Sequence, residues 1–164
     1  MDTNQSAEQF AKQFIDQAIA LAESSMERGE GGPFAALVVR DGGVLGRGWN
    51  RVTSSNDPTA HAEVEAIRDA TRRLGDFSLA GCTLYVNCEP CPMCLAAAYW
   101  AGISAIYYAA DRADAAAIGF ADQQIYEELA LPPEQRRLPM HQINRPAALP
   151  LFRRWQEKPD KIPY

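Results

Sequence analysis

His61-Ala62-Glu63 and Pro90-Cys91-Pro92-Met93-Cys94 bring one imidazole, two thiols and a carboxylate into a chain with only two histidines and four cysteines. His61, Cys91 and Cys94 are ligands of the kind that hold Zn²⁺, and two soft thiolates with one imidazole favour zinc over iron. A structural zinc takes four protein ligands, whereas a catalytic one keeps a position for water. Three ligands therefore predict one Zn²⁺ per chain with water in the fourth position, its pKa lowered to roughly 7. Glu63, two residues after the histidine, is the predicted proton shuttle. Each half of the pattern alone is weak. A His-x-Glu is common at surfaces, and a Cys-x-x-Cys also serves redox chemistry or a closed zinc knuckle. Together, each at a predicted helix start behind a predicted strand, they point to a catalytic metal site. The remaining histidine, His141, lies in a Pro-rich tail and is a poor candidate.

The elements that must carry these groups follow from periodicity. Phe10, Phe14, Ile15, Ala18, Leu21, Ala22 and Met26 recur at helical spacing, which predicts an amphipathic helix over about 7–28. Gly29-Glu30-Gly31-Gly32-Pro33 ends it. Residues 34–39 and 44–50 read as strands around the hairpin signal Asp41-Gly42-Gly43. A polar loop with Pro58 at a helix start leads into a helix through His61 and Glu63 to about Leu74. Strands at 83–87 and 103–109 flank a helix that opens at Pro92. Strand–helix–strand crossovers imply an α/β sheet covered by helices on both faces. Both metal-bearing turns then fall at carboxyl ends of strands, where open α/β sheets place ligands. Helix N-termini there also favour thiolate at Cys91 and Cys94. After Asp111 the pattern weakens, with a short helix at about 122–130 and a last one around Leu151–Trp155.

At 164 residues the chain reads as one domain, and 47% hydrophobic and 23% charged residues are ordinary for a globular protein. No apolar run reaches the ~18 residues of a membrane span, and the polar N-terminus reads as no secretory signal. Cys82 and Cys88 are expected as buried free thiols, which suits a reducing compartment and a cytoplasmic location. A net charge of −5 and a pI near 5.0 argue against a nucleic-acid partner.

Activated water beside a shuttling carboxylate suits attack on an amidine-like carbon that bears an exocyclic amine, with loss of ammonia. Asn50 has both donor and acceptor groups to orient a base, or it caps its own turn. Phe34 and Trp100 are candidates to stack on a flat ring, or they are core. Asp122 would accept from the N1–H and 2-amine of guanine and serve adenine poorly, unless it is a helix cap. Tyr164, aromatic on a Pro-containing tail, otherwise reads as a frayed end.

The runs Gly31-Gly32-Pro33-Phe34, Gly48-Trp49-Asn50, Ser54 through Glu63, and Cys88-Glu89-Pro90-Cys91-Pro92-Met93-Cys94 resemble those of the bacterial guanine deaminases of the cytidine deaminase superfamily. So do Tyr99-Trp100-Ala101, Asp114-Ala115-Ala116, Gly119-Phe120 with Asp122, and the closing tyrosine. His-x-Glu with Pro-Cys-x-x-Cys is the signature of zinc nucleobase deaminases generally. The Asn56–Ala60 run is shared with tRNA adenosine deaminases and does not choose between the branches. The resemblance implies a three-layer α/β/α cytidine deaminase-like fold with a central mixed sheet of about five strands. It also implies conversion of guanine to xanthine and ammonia by a homodimer in which residues 145–164 cross to close the partner's site. On that pattern Tyr164 caps the base, Asp122 grips its amidine edge, Asn50 holds another edge, Phe34 and Trp100 line the pocket, and Ala62 joins the substrate contacts. Lys161-Ile162-Pro163 departs from the family's polar, charged ending. The alternatives are a tRNA wobble adenosine deaminase, which needs a basic surface to hold an RNA loop, a deaminase of another aminated heterocycle, and a zinc-stabilised binding module without chemistry.

Overall fold

Two adjacent residues of positive φ, Asp41 at 50° and Gly42 at 77°, close the hairpin from which the sheet grows. In a computed structural model, which describes residues 3–120 and 122–163 (side chains from residue 8 onward), it joins β1 (Ala35–Arg40) to β2 (Gly43–Trp49). β3 (Thr83–Cys88) runs antiparallel to β1 on its other side, and β4 (Ala105–Ala110) runs parallel to β3. The order is β2-β1-β3-β4, a mixed sheet. Among the described residues it has four strands where five were expected, because the chain turns helical directly after β4.

Side chains alternate across this sheet, and the two faces take different helices. Leu37, Val39 and Tyr85 face Ala11, Phe14 and Ala18 of α1 (Thr3–Glu27). Ala36, Val38, Leu84 and Val86 face Ala62, Ala66 and Ala70 of α3 (Ala62–Leu74) and Ala98 of α4 (Pro92–Trp100). The expected three layers are present. Fully buried Leu37, Leu79 and Leu84 each contribute about 1.5–3 kcal/mol by leaving water.

α3 lies unusually close to β2. A Cβ at Gly46 would stand 2.6 Å from the Ala66 carbonyl oxygen, and one at Gly48 would run into the Ala62 carbonyl and the Ala66 amide. Glycine on the strand and alanine on the helix thus let backbone meet backbone. This contact sets the height at which the start of α3 stands over the sheet.

Several boundaries differ from the sequence expectation. Phe34 precedes β1, and His61 is the N-cap of α3, with Pro58 in the turn before it. A short helix, α2 (Val52–Ser55), interrupts the polar loop. α5 (Arg112–Ala117) was missed altogether; Asp111 caps it, accepting from the amides of Ala113 and Asp114, while Asp114 accepts from the Asp111 amide.

The chain divides into two compact units between Gln123 and Gln124. The second holds most of α6 (Gln123–Ala130), a 3₁₀ turn at Pro133–Gln135 and α7 (Arg145–Glu157), which is longer than expected and has Pro150 inside it. Arg137 donates to Glu128 at 3.0 Å, and Arg136 donates to the Leu131 carbonyl. None of the described residues of this unit is buried. Among the described residues, no helix is long and apolar enough to cross a membrane.

Candidate metal centre and active site

Two helix starts converge at the carboxyl end of the sheet. His61 and Cys91 are both N-caps with extended backbone, at ψ 155° and 167°. The turn before His61 is built by Asp57, whose carboxylate accepts from the amide and hydroxyl of Thr59. Pro92 at the first position of α4 presets its helical φ. Glu89 anchors the cysteine loop: its amide donates to the Ala110 carbonyl, and its carboxylate accepts from the amide and guanidinium of Arg112.

These turns bring His61, Cys91 and Cys94 together, with all three ligand atoms within 4.8 Å of one another. Each thiol sulfur lies 3.5 Å from His61 Nδ1. A tetrahedral Zn²⁺ with Zn–S near 2.3 Å and Zn–N near 2.0–2.1 Å would hold such atoms about 3.6 Å apart. The residues therefore fit a zinc ion, with His61 offering Nδ1.

The local charges agree. A hydrogen bond from the Cys94 thiol, helped by His61, holds Cys91 down to about 4, a thiolate at neutral pH. Cys94 itself is driven well up by that neighbour and by burial. His61 is raised chiefly by its hydrogen bond to Cys91. Glu63, only 7% exposed, is pushed up to about 7 by desolvation. The Cys91 thiolate in turn raises both Cys94 and Glu63, and a pocket that gathers such negative charge is a site for a cation.

The model of the cytidine and deoxycytidylate deaminase zinc-binding region matches residues 8–110, which span the sheet and all three ligands. The chain belongs to this family. The deaminase is 48% identical to guanine deaminase of Bacillus subtilis over 92% of its own length and 97% of that protein's. It superimposes on the X-ray structure of that guanine deaminase with a TM-score of 0.90, covering 93% and 98% of the two chains. A guanine deaminase from Nitrosomonas europaea matches at 32% identity with a TM-score of 0.64, over 74% of this chain and 66% of that one. The tRNA-specific adenosine deaminase of Agrobacterium fabrum is 46% identical, but over 59% of this chain and 63% of that protein.

The other predicted residues divide in three. Asn50 is buried beside the Gly31–Phe34 loop, and its carboxamide oxygen accepts from the amides of Gly32 and Val52, both at 3.2 Å. Backbone N–H groups only donate, so its NH₂ is left to donate elsewhere. Phe34 and Phe120 form a T-shaped pair, with centroids 4.8 Å apart. Asp122 belongs to the same electrostatic group, since its charge acts on His61 and Cys88. Its Oδ1 is buried with no hydrogen-bond partner, and burial raises its carboxyl.

Ala62 and Trp100 are placed differently. The Ala62 side chain is wholly inside the α3 core, so only its backbone could meet a ligand. Trp100 ends α4, about 13.5 Å along the helix from Cys91 at 1.5 Å per residue, and is 73% exposed. Tyr164 lies outside the described residues. Cys82 and Cys88 are buried free thiols as expected, and burial pushes Cys88 up to about 11. Sequence reasoning missed Asn87, which bonds to the loop carrying Phe34.

Proposed function

We propose that the deaminase hydrolyses guanine to xanthine and ammonia, with His61, Cys91 and Cys94 holding one Zn²⁺ and Glu63 moving the protons. Zinc bound there would polarise water and lower its pKa toward neutrality. The rest is the work of the chain. Glu63, with its carboxyl near 7, takes a proton at neutral pH about as readily as it gives one up. It therefore suits a group that takes one proton from water and gives it to a ring nitrogen, then takes the second from the hydroxyl of the adduct and gives it to the departing amine. Asn50 presents its NH₂ to an acceptor edge of the base. Phe34 forms a wall.

The observation that carries guanine over adenine is Asp122. An unpartnered buried carboxylate oxygen is costly unless a ligand supplies donors. Guanine offers two on one edge, N1–H and the 2-amine, whereas adenine offers a lone pair at N1. Full-length similarity to a guanine deaminase supports the same choice. The net charge of −5 gives an RNA loop little to hold.

The single deaminase domain acts as a homodimer in this reading, with the C-terminal segment ending at Tyr164 closing the partner's site. Support comes from the second unit, where Leu151, Phe152 and Trp155 of α7 all stay exposed. Trp100, at the far end of α4, is likewise exposed. Buried free thiols at Cys82 and Cys88 suit a reducing, cytoplasmic compartment.

Ammonia release measured from free guanine, free adenine and an anticodon stem-loop tests the assignment. Turnover of guanine alone is expected. Turnover of the stem-loop without guanine would overturn it.

A further inference from the structure

Asparagine is an unfavoured residue near the end of a buried strand, yet Asn87 sits there with both polar atoms used. The last residue that β3 pairs with β1 is Val86, opposite Ala36. One step further the ladder stops, and the Asn87 carboxamide takes its place. Its oxygen accepts from the Ala35 amide at 2.9 Å, and its nitrogen donates to the Pro33 carbonyl at 2.8 Å. These are the residues on either side of Phe34. The Phe34 carbonyl accepts from the Asn50 amide at 2.9 Å, and the Phe34 amide donates to the Gly32 carbonyl at 2.8 Å. Every backbone polar group from the Pro33 carbonyl to the Ala35 amide is therefore bonded.

We propose that Asn87 is a positioning residue, its carboxamide clamping the backbone on both sides of Phe34 and so setting where that ring stands at the pocket. The chemistry required is narrow. The clamp needs an acceptor toward Ala35 and a donor toward Pro33 on one short side chain. Aspartate supplies only the acceptor, and leucine fills the space with neither. With the backbone fixed, the Phe34 ring keeps only its side-chain torsions, and the perpendicular Phe120 ring limits those. The inference rests on the reading of Phe34 as a wall of the base pocket.

A double-mutant cycle tests both parts, with Asn87→Leu, Phe34→Ala and the double variant assayed on guanine alongside zinc content and hydrogen exchange of the Ala35 amide. Asn87→Leu is expected to raise KM about tenfold, the scale of losing two ordinary hydrogen bonds. Its kcat and zinc stoichiometry stay unchanged, and the Ala35 amide exchanges faster. In the Phe34→Ala background it adds no further rise. Asn87→Asp, which keeps one of the two bonds, gives an intermediate KM and serves as the readout should the leucine variant not fold. If Phe34→Ala raises KM and the Asn87 variants do not, the clamp is wrong while the pocket stands. An Asn87 effect that multiplies with that of Phe34→Ala also overturns the clamp. If Phe34→Ala itself leaves KM unchanged, the pocket reading fails and the proposal with it.

Discussion

With burial holding its carboxyl near 7, Glu63 exchanges protons at neutral pH with little cost in either direction, and no amide can replace it. Glu63→Gln preserves shape and hydrogen bonding but cannot carry a proton. We expect kcat to fall by at least ~100-fold, with zinc retained by elemental analysis and purine binding retained by calorimetry. Loss of zinc in that variant would instead mark Glu63 as part of the metal's support. Asp69 gives a separate pH signature. Burial raises its carboxyl, but the Arg47 amide at 3.0 Å and the Arg73 guanidinium outweigh that and leave it below the usual 3.8. A depressed value means stabilisation that is complete above 3.8 and disappears as pH falls through the lowered value. Asp69→Asn should therefore lower the melting temperature at neutral pH and converge on the parent in strong acid. Parallel curves from pH 7 down to 2 would refute this. The clustering of His61, Cys91 and Cys94 was legible because metal chemistry needs fixed residue types at short spacings. Asn87 was not, since its partners lie 52 and 54 positions away and only the folded sheet joins them.

At the scale of elements, the position of the site depends on how closely α3 approaches β2. Gly48→Ala places a methyl group where the Ala62 carbonyl and Ala66 amide already stand. Neither is a flexible side chain that could move aside. We expect a loss of about 1–3 kcal/mol or more in denaturant melts, as for overpacking elsewhere, and weakened zinc retention because His61 starts the displaced helix. An unchanged midpoint would show that the helix can lift without cost. The strands were readable as apolar runs around a hairpin signal, and α3 from the polar loop with Pro58 at a helix start. α5 was not: Arg112–Ala117 is a short, alanine-rich run with little apolar periodicity, and its start is marked by an aspartate pair rather than the usual serine or threonine with glutamate. Pro150 concealed the first half of α7, because proline inside a helix ordinarily argues for a break.

For the whole molecule, the dimer reading predicts that two defective chains can repair each other. Mixing Glu63→Gln with a chain lacking Tyr164 and reassembling them makes hybrids in which one site keeps its own Glu63 and borrows an intact tail. About a quarter of the parental ammonia release should return if the closing segment is exchanged between symmetric subunits. No recovery above either variant alone would show that each chain closes its own site. The composition announced a globular, acidic protein, but it could not announce a second unit in which no described residue is buried. During synthesis, residues up to Gln123 emerge first, with a hydrophobic interior of their own to collapse around. The segment that follows has oily side chains and no buried residue among those described, so on the dimer reading its maturation would end in an encounter between two finished copies. On that reading the supply of fresh polypeptide, rather than the speed at which one chain folds, would set how quickly working enzyme accumulates. In a sparsely expressing cell, quality-control proteases would reach the solitary copies first.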